Sequence, residues 1–293
     1  WDDLDRAFDL KMACNLNPPI QPRESTGEII TEKQTQDSLI AIQSEYSLPL
    51  KSLKANVITA KYFKPGKLVI LRPESHLHAQ SSARDIKLHQ SLIHDDAQII
   101  EHFLQRGENV LNSIEGINSL WRAESGLFKV SVNNRQQLIH KYTTELVEPA
   151  GDLIAEIYHG WVTTIFNEPI NDFVKYLIVH SLYFINKKEP IEKNHWSKIV
   201  EKIRSSFPVY SQEIDFTDYV DFYNSLQGKD QKELNQLHTT LCEQRSKNMA
   251  LNTLENMQNV NVSIMHIGAK HVHGIIVQLE KHSINYLVLS PNI

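Results

Sequence analysis

The last thirty residues constrain the fold more than any other stretch. Val262-Ser263-Ile264-Met265-His266-Ile267 is an apolar run of buried-strand length, and Gly268-Ala269-Lys270-His271 ends it. Val272, Ile275, Ile276 and Leu279 then recur at helical spacing, so Val272 to His282 reads as an amphipathic helix ahead of a second apolar run, Ile284 to Leu289. Short strands joined by a helix-length crossover call for parallel pairing with the helix laid over the sheet. A histidine just past such a strand, at the mouth of a helix, stands where open α/β sheets collect their chemistry. Gly-x-x-His by itself is a weak word; its strand-turn-helix setting gives it weight.

The same grammar occurs in the first half of the chain. Asn56 to Phe63 alternates and is β-branched, as an edge strand does, and the turn Pro65-Gly66 launches the apolar run Lys67 to Leu71. Ile86 to Leu104 has helical period, Gly107 ends it, and Asn109 to Ile114 is a further core strand closed by Glu115-Gly116. From about residue 134 the period turns helical, with one stripe through Leu153, Ile154, Ile157, Trp161, Val162 and Ile165 and another through Phe173, Val174, Leu177 and Ile178. That stretch is too long for one crossover and reads as an insertion or cap over about 134–240. The expected fold is therefore an α/β domain at 56–293, a mostly parallel sheet flanked by helices with a large helical insertion. Pro18, Pro19 and Pro22 mark residues 1–55 as an N-terminal arm and irregular segment.

Composition removes several functions. The 293 residues carry a formal charge of -5, which offers no electrostatic footprint for a phosphate backbone, so nucleic acid is not an expected partner. No apolar run reaches the roughly 20 residues of a membrane span, and Phe173 to Ile185 reads as a buried helix. Two cysteines, Cys14 and Cys242, support neither a disulfide framework nor a cysteine-based zinc site. The chain starts at Trp1, and an exported or periplasmic location fits if a leader preceded it.

Five residues carry candidate chemistry. His76 and His78 flank Leu77 just beyond a buried strand, so in extended backbone they share one face and can grip a metal; the bland alternative is a surface loop. Glu115 closes a core strand, where a carboxylate serves as cation ligand, general base or simple turn residue. Arg245 interrupts the stripe Leu237, Leu241, Met249, and a cation on an apolar face needs a carboxylate, a bound anion or an escape to the edge. His271, at a helix N-terminus, feels the positive end of the dipole, which favours neutral imidazole as base or ligand. His266 reads as a core histidine, and Gly274 lets its helix approach neighbouring backbone closely.

These words together resemble the superfamily that joins erythromycin-esterase-like proteins, ChaN-like haem-uptake lipoproteins and Tiki/TraB proteases. The likeness lies in His76 followed by Ala79-Gln80, in Ile114-Glu115-Gly116, in Arg245-Ser246-Lys247-Asn248-Met249-Ala250, and in Gly268-Ala269-Lys270-His271 followed by Gly274-Ile275. Pro73 stands where the first Gly-x-x-His word of such families has its glycine. The resemblance implies an α/β sheet with one strand-end pocket, catalytic through Glu115, His271, Arg245 and His76. A divalent ion (zinc, manganese or iron) would then sit on His76, His78, Glu115 and His271, and the substrate would be a small-molecule or peptide-type ester or amide. The alternative it implies is a non-catalytic haem or iron protein ligated by His76, His78 or Tyr158.

Overall fold

The computed structural model describes residues 30–74, 83–116, 162–185, 197, 200–201 and 216–291. In chain order its elements are α1 (Glu32–Tyr46), β1 (Asn56–Lys61), β2 (Leu68–Glu74), α2 (Ala83–Gln105), β3 (Val110–Ile114), β4 (Thr163–Phe166), α3 (Ile170–Ile185), α4 (Phe216–Ser225), α5 (Gln231–Asn256), β5 (Val262–Gly268), a 3-10 turn (Ala269–His271), α6 (Val272–Lys281) and β6 (Asn285–Ser290). The six strands form one sheet in the order β1-β6-β2-β5-β3-β4. All neighbours are parallel except β1, which runs antiparallel to β6. The α/β architecture read from the sequence is thus the observed one.

Strand alternation distributes the core over two faces. Leu68 and Ile70 of β2, Val262 and Ile264 of β5 and Leu287 of β6 pack with Ile93, Ile100 and Phe103 of α2 and with Ile42 of α1. Val69, Leu71, Met265 and Ile267 face the other way, onto Met249 and Ala250 of α5 and Ile275 and Leu279 of α6. The apolar β3, β5 and β6 are buried on both faces, the signature of central parallel strands. A third cluster, Val174, Ile178 and Leu182 of α3 with Tyr219, Tyr223, Leu234 and Leu241, ties α3 to α4 and α5.

Two elements differ from the sequence reading. The irregular segment expected up to residue 55 contains α1, whose start is fixed by a capping box: Gln34 N–H donates to Thr31 Oγ1, and Thr31 N–H donates to the Gln34 side chain. Residues 162–166, placed on a helical stripe, instead run parallel to β3 as the outer strand β4. The run Val162-Thr163-Thr164-Ile165 is wholly β-branched, and pairing with β3 overrides the helical spacing that Val162 and Ile165 share with Trp161. The closing strand β6 lies between β1 and β2, because β1 folds back antiparallel beside it.

Beneath the sheet, on the α2 face, lies a buried ion cluster. Arg72 at the end of β2 places Nε 2.7 Å from Asp96 and Nη2 3.8 Å from Asp95, with all three side chains fully excluded from solvent. Arg72 Nη1 also donates to the Leu289 carbonyl at 3.0 Å, and Asp95 accepts the Lys54 N–H at 2.8 Å. Burial pushes the Asp96 carboxyl up to about 7, with Arg72 opposing the rise. Its folded value exceeds the unfolded one, so its contribution to stability is full below the ordinary value of 3.8 and is lost as pH rises through about 7. Replacing Arg72 with Met strands two buried carboxylates and should cost about 3–5 kcal/mol at neutral pH. Urea melts should show the penalty shrinking at about pH 5, where Asp96 holds a proton, and growing at about pH 8. A penalty independent of pH would remove Asp96 from the account.

Candidate active site

At the carboxyl end of the sheet, on the opposite face, three separate segments meet. Glu115 continues β3 by donating its N–H to the His266 carbonyl at 2.9 Å, and alternation after Leu111 and Ser113 turns its side chain toward α5. Gly116, at φ 116, makes the turn that follows. Pairing of β3 with β4 sets Glu168 beside it: Asn167 N–H donates to the Ile114 carbonyl at 3.0 Å and Glu168 N–H to the Gly116 carbonyl at 3.2 Å. From α5, whose start is fixed by an Asp230–Glu233 capping box, Arg245 reaches both acids. Its Nε donates to Glu168 Oε2 at 2.8 Å, its Nη2 to Glu115 Oε1 at 2.9 Å, and Nη2 also pairs with Glu168 Oε1. The guanidinium lies over the Tyr176 ring, 4.1 Å from its centre. Burial alone would lower the Arg245 pKa, but Glu168 first and then Glu115 reverse that and hold it above the ordinary arginine value.

His271 arrives from the turn after β5. Its Nε2 is 3.2 Å from Glu115 Oε1 and its Nδ1 is 2.7 Å from Ser246 Oγ. The Ser246 hydroxyl also donates to the Cys242 carbonyl at 2.8 Å, so the imidazole is held between α5 on its Nδ1 side and the Glu115 carboxylate on its Nε2 side. Burial depresses the His271 pKa, Glu115 pulls it back, and Arg245 and Lys270 add to the lowering, so the imidazole is neutral at neutral pH. Two glycines make the approach possible. A Cβ on Gly268 would stand 3.1 Å from Glu115 Oε2, which accepts the Gly268 N–H at 2.5 Å. A Cβ on Gly274 would meet the Ser246 Cβ at 2.7 Å, so α6 can lie this close to α5 only without one.

The structure brings Glu115, Arg245 and His271 together, and His266 is a buried core residue whose Nε2 lies 3.7 Å from Asp96 on the other face. His76, His78 and Tyr158 lie outside the described residues, and with them the rest of the expected metal or haem ligation. Among the described residues no three His, Cys, Asp or Glu side chains are placed to hold a metal ion. All four carboxylate oxygens of Glu115 and Glu168 are engaged by Arg245 or the Gly268 N–H. Sequence reasoning missed Glu168, Ser246, Tyr176 and Lys270. Reading Val162 to Ile165 as a strand would have exposed Glu168 as a second strand-end acid, while Ser246 and Lys270 sit beside Arg245 and His271 with no spacing signal of their own.

Comparison with protein-family models, with curated proteins and with solved structures gives no match. The geometry of the site therefore carries the functional argument.

Gly274→Ala should force α6 away from α5 and cost about 1–3 kcal/mol. The same change should lengthen the His271–Ser246 bond, visible by NMR as a loss of the defined imidazole tautomer. A Gly274→Ala variant with wild-type stability and an unchanged tautomer would show that the helix contact does not hold His271.

Proposed function

We propose that the protein is a hydrolase of ester or peptide-type carbonyls in which His271 and Glu115 act together as general base. The observation that carries this reading is the pairing of a neutral, buried imidazole with a carboxylate 3.2 Å from Nε2, while Ser246 lies against Nδ1. A water beside this pair gives its proton to the pair as its oxygen attacks the carbonyl carbon. The imidazolium so formed is already served on both sides, Nδ1–H by Ser246 and Nε2–H by Glu115. Collapse of the tetrahedral intermediate returns that proton from Nε2 to the departing alkoxide or amine. Arg245 holds Glu115 in place and supplies a fixed positive charge beside the reacting carbonyl, preorganised by Glu168 and therefore needing little rearrangement during reaction. The resemblance to erythromycin-esterase-like, ChaN-like and Tiki/TraB proteins points the same way, through Arg245, Gly268 and His271.

A panel of activated esters and short peptides tests the proposal. His271→Gln should lower kcat by about 10²–10⁴-fold with little change in KM, and Glu115→Gln should do the same. The base works deprotonated and its pKa is depressed, so kcat/KM should stay level through neutral pH and fall only below the ordinary imidazole value of 6.5. Chelator-treated protein should keep its rate. Turnover unchanged in His271→Gln, or none on any carbonyl substrate, would overturn the reading.

A further inference from the structure

We propose that Lys270, Tyr176, the His180–His238 pair and the remaining edge of Arg245 form a subsite for an oxyanion, a carboxylate or phosphate group carried by the substrate. The inference rests on the hydrolase reading of the adjoining site and names the substrate class. Lys270 Nζ donates to Tyr176 Oη at 2.7 Å and lies 4.7 Å from the centre of the same ring that Arg245 covers at 4.1 Å. Two cations thus share one aromatic ring. Tyr176 Oη is 3.4 Å from His180 Nδ1, which is 3.1 Å from His238 Nε2, so a polar line runs from Lys270 across the α3–α5 interface.

The donor inventory decides which ligand fits. Arg245 is 2 % exposed, and its Nη1 makes no hydrogen bond, although Nε and Nη2 are fully committed to the two acids. Among the described residues each oxygen of those two acids already accepts a bond from Arg245 or Gly268. A buried guanidinium N–H is costly to leave unmade, and an incoming oxygen with negative charge satisfies it best. Burial, and then His238, Lys270 and Arg245, push His180 down to about 3, so its imidazole is neutral beside the two cations. Lys270 is half-buried, and it adjoins His271 in the same turn, which sets an anion held there beside the reacting carbonyl.

Inorganic phosphate and acetate, titrated separately into the full chain with chloride at equal ionic strength as control, test this by thermal shift and by the imidazole NMR signals of His180 and His238. Saturable stabilisation with movement of both signals is expected, weakened about tenfold or more in Lys270→Met and in Tyr176→Phe, which keeps the ring. No saturable response to either anion, or binding undiminished in both variants, overturns the subsite. Among matched esters, those with a free carboxylate or phosphate near the scissile carbonyl should have the lower KM, and that preference should vanish in Lys270→Met. Hydrolysis of neutral esters without anion binding sinks the subsite alone, whereas anion binding without turnover supports the subsite and sinks the hydrolase reading.

Discussion

The buried guanidinium of Arg245 is the constraint on which the rest of the site depends. It is a full charge 2 % exposed to solvent on a helix face that otherwise packs Leu241 and Met249. Such a charge is tolerable only if the surrounding fold delivers partners to it, and here two arrive from different strands, Glu115 after β3 and Glu168 after β4. The need runs both ways. Two carboxylates this close would repel each other without the cation, and Arg245 binds them both at one sheet edge. A buried ion set of this kind adds little net stability over an apolar substitute, but it fixes the register of α5 against the sheet, because no other rotation of the helix serves the charge.

Strand β5 couples that site to the second buried ion cluster. His266 lies in register with Arg72 on one side and Ile114 on the other. Its side chain turns toward Asp96 on the α2 face, and its carbonyl accepts the N–H that orients Glu115 on the α5 face. One residue therefore carries a tie to each cluster. The Arg72 cluster is locked by backbone carbonyls and helix carboxylates and is sealed from water, which suits it to holding strand ends rather than to chemistry. Polar groups at the carboxyl edge of the sheet are thus divided by face, with the Arg72 cluster beneath and the Arg245 cluster above.

How much of this was legible in the sequence depended on how local the determining signal was. The strand-turn-helix at Val262 to His282 was readable because its periods switch within a few residues, and Arg245 because a charge in an apolar stripe announces a partner. The partner's identity was not, since Glu168 reaches Arg245 only through the β3–β4 pairing, a contact between segments some fifty residues apart in the chain. Val162 and Ile165 satisfy helical spacing and β-branching equally, and only the presence of an open edge on β3 decides between them. Helix α1 was hidden for the opposite reason. Its apolar face is short, and its stability comes from the Thr31 cap and from Ile42 and Tyr46 docking onto the sheet, neither of which is an amphipathic pattern.

Ser246, His271 and Glu115 stand in the order of a nucleophilic relay, hydroxyl to imidazole to carboxylate, and the arrangement invites comparison with serine hydrolases. Physical detail argues against attack by Ser246. Its hydroxyl proton is directed to the Cys242 carbonyl one turn back. The residue is also pressed against Gly274, where a single added methyl would collide with its Cβ. A nucleophile must reach substrate, whereas a positioning group can be walled in. Ser246 meets the second requirement, so under the proposed hydrolase reading water is the attacking species.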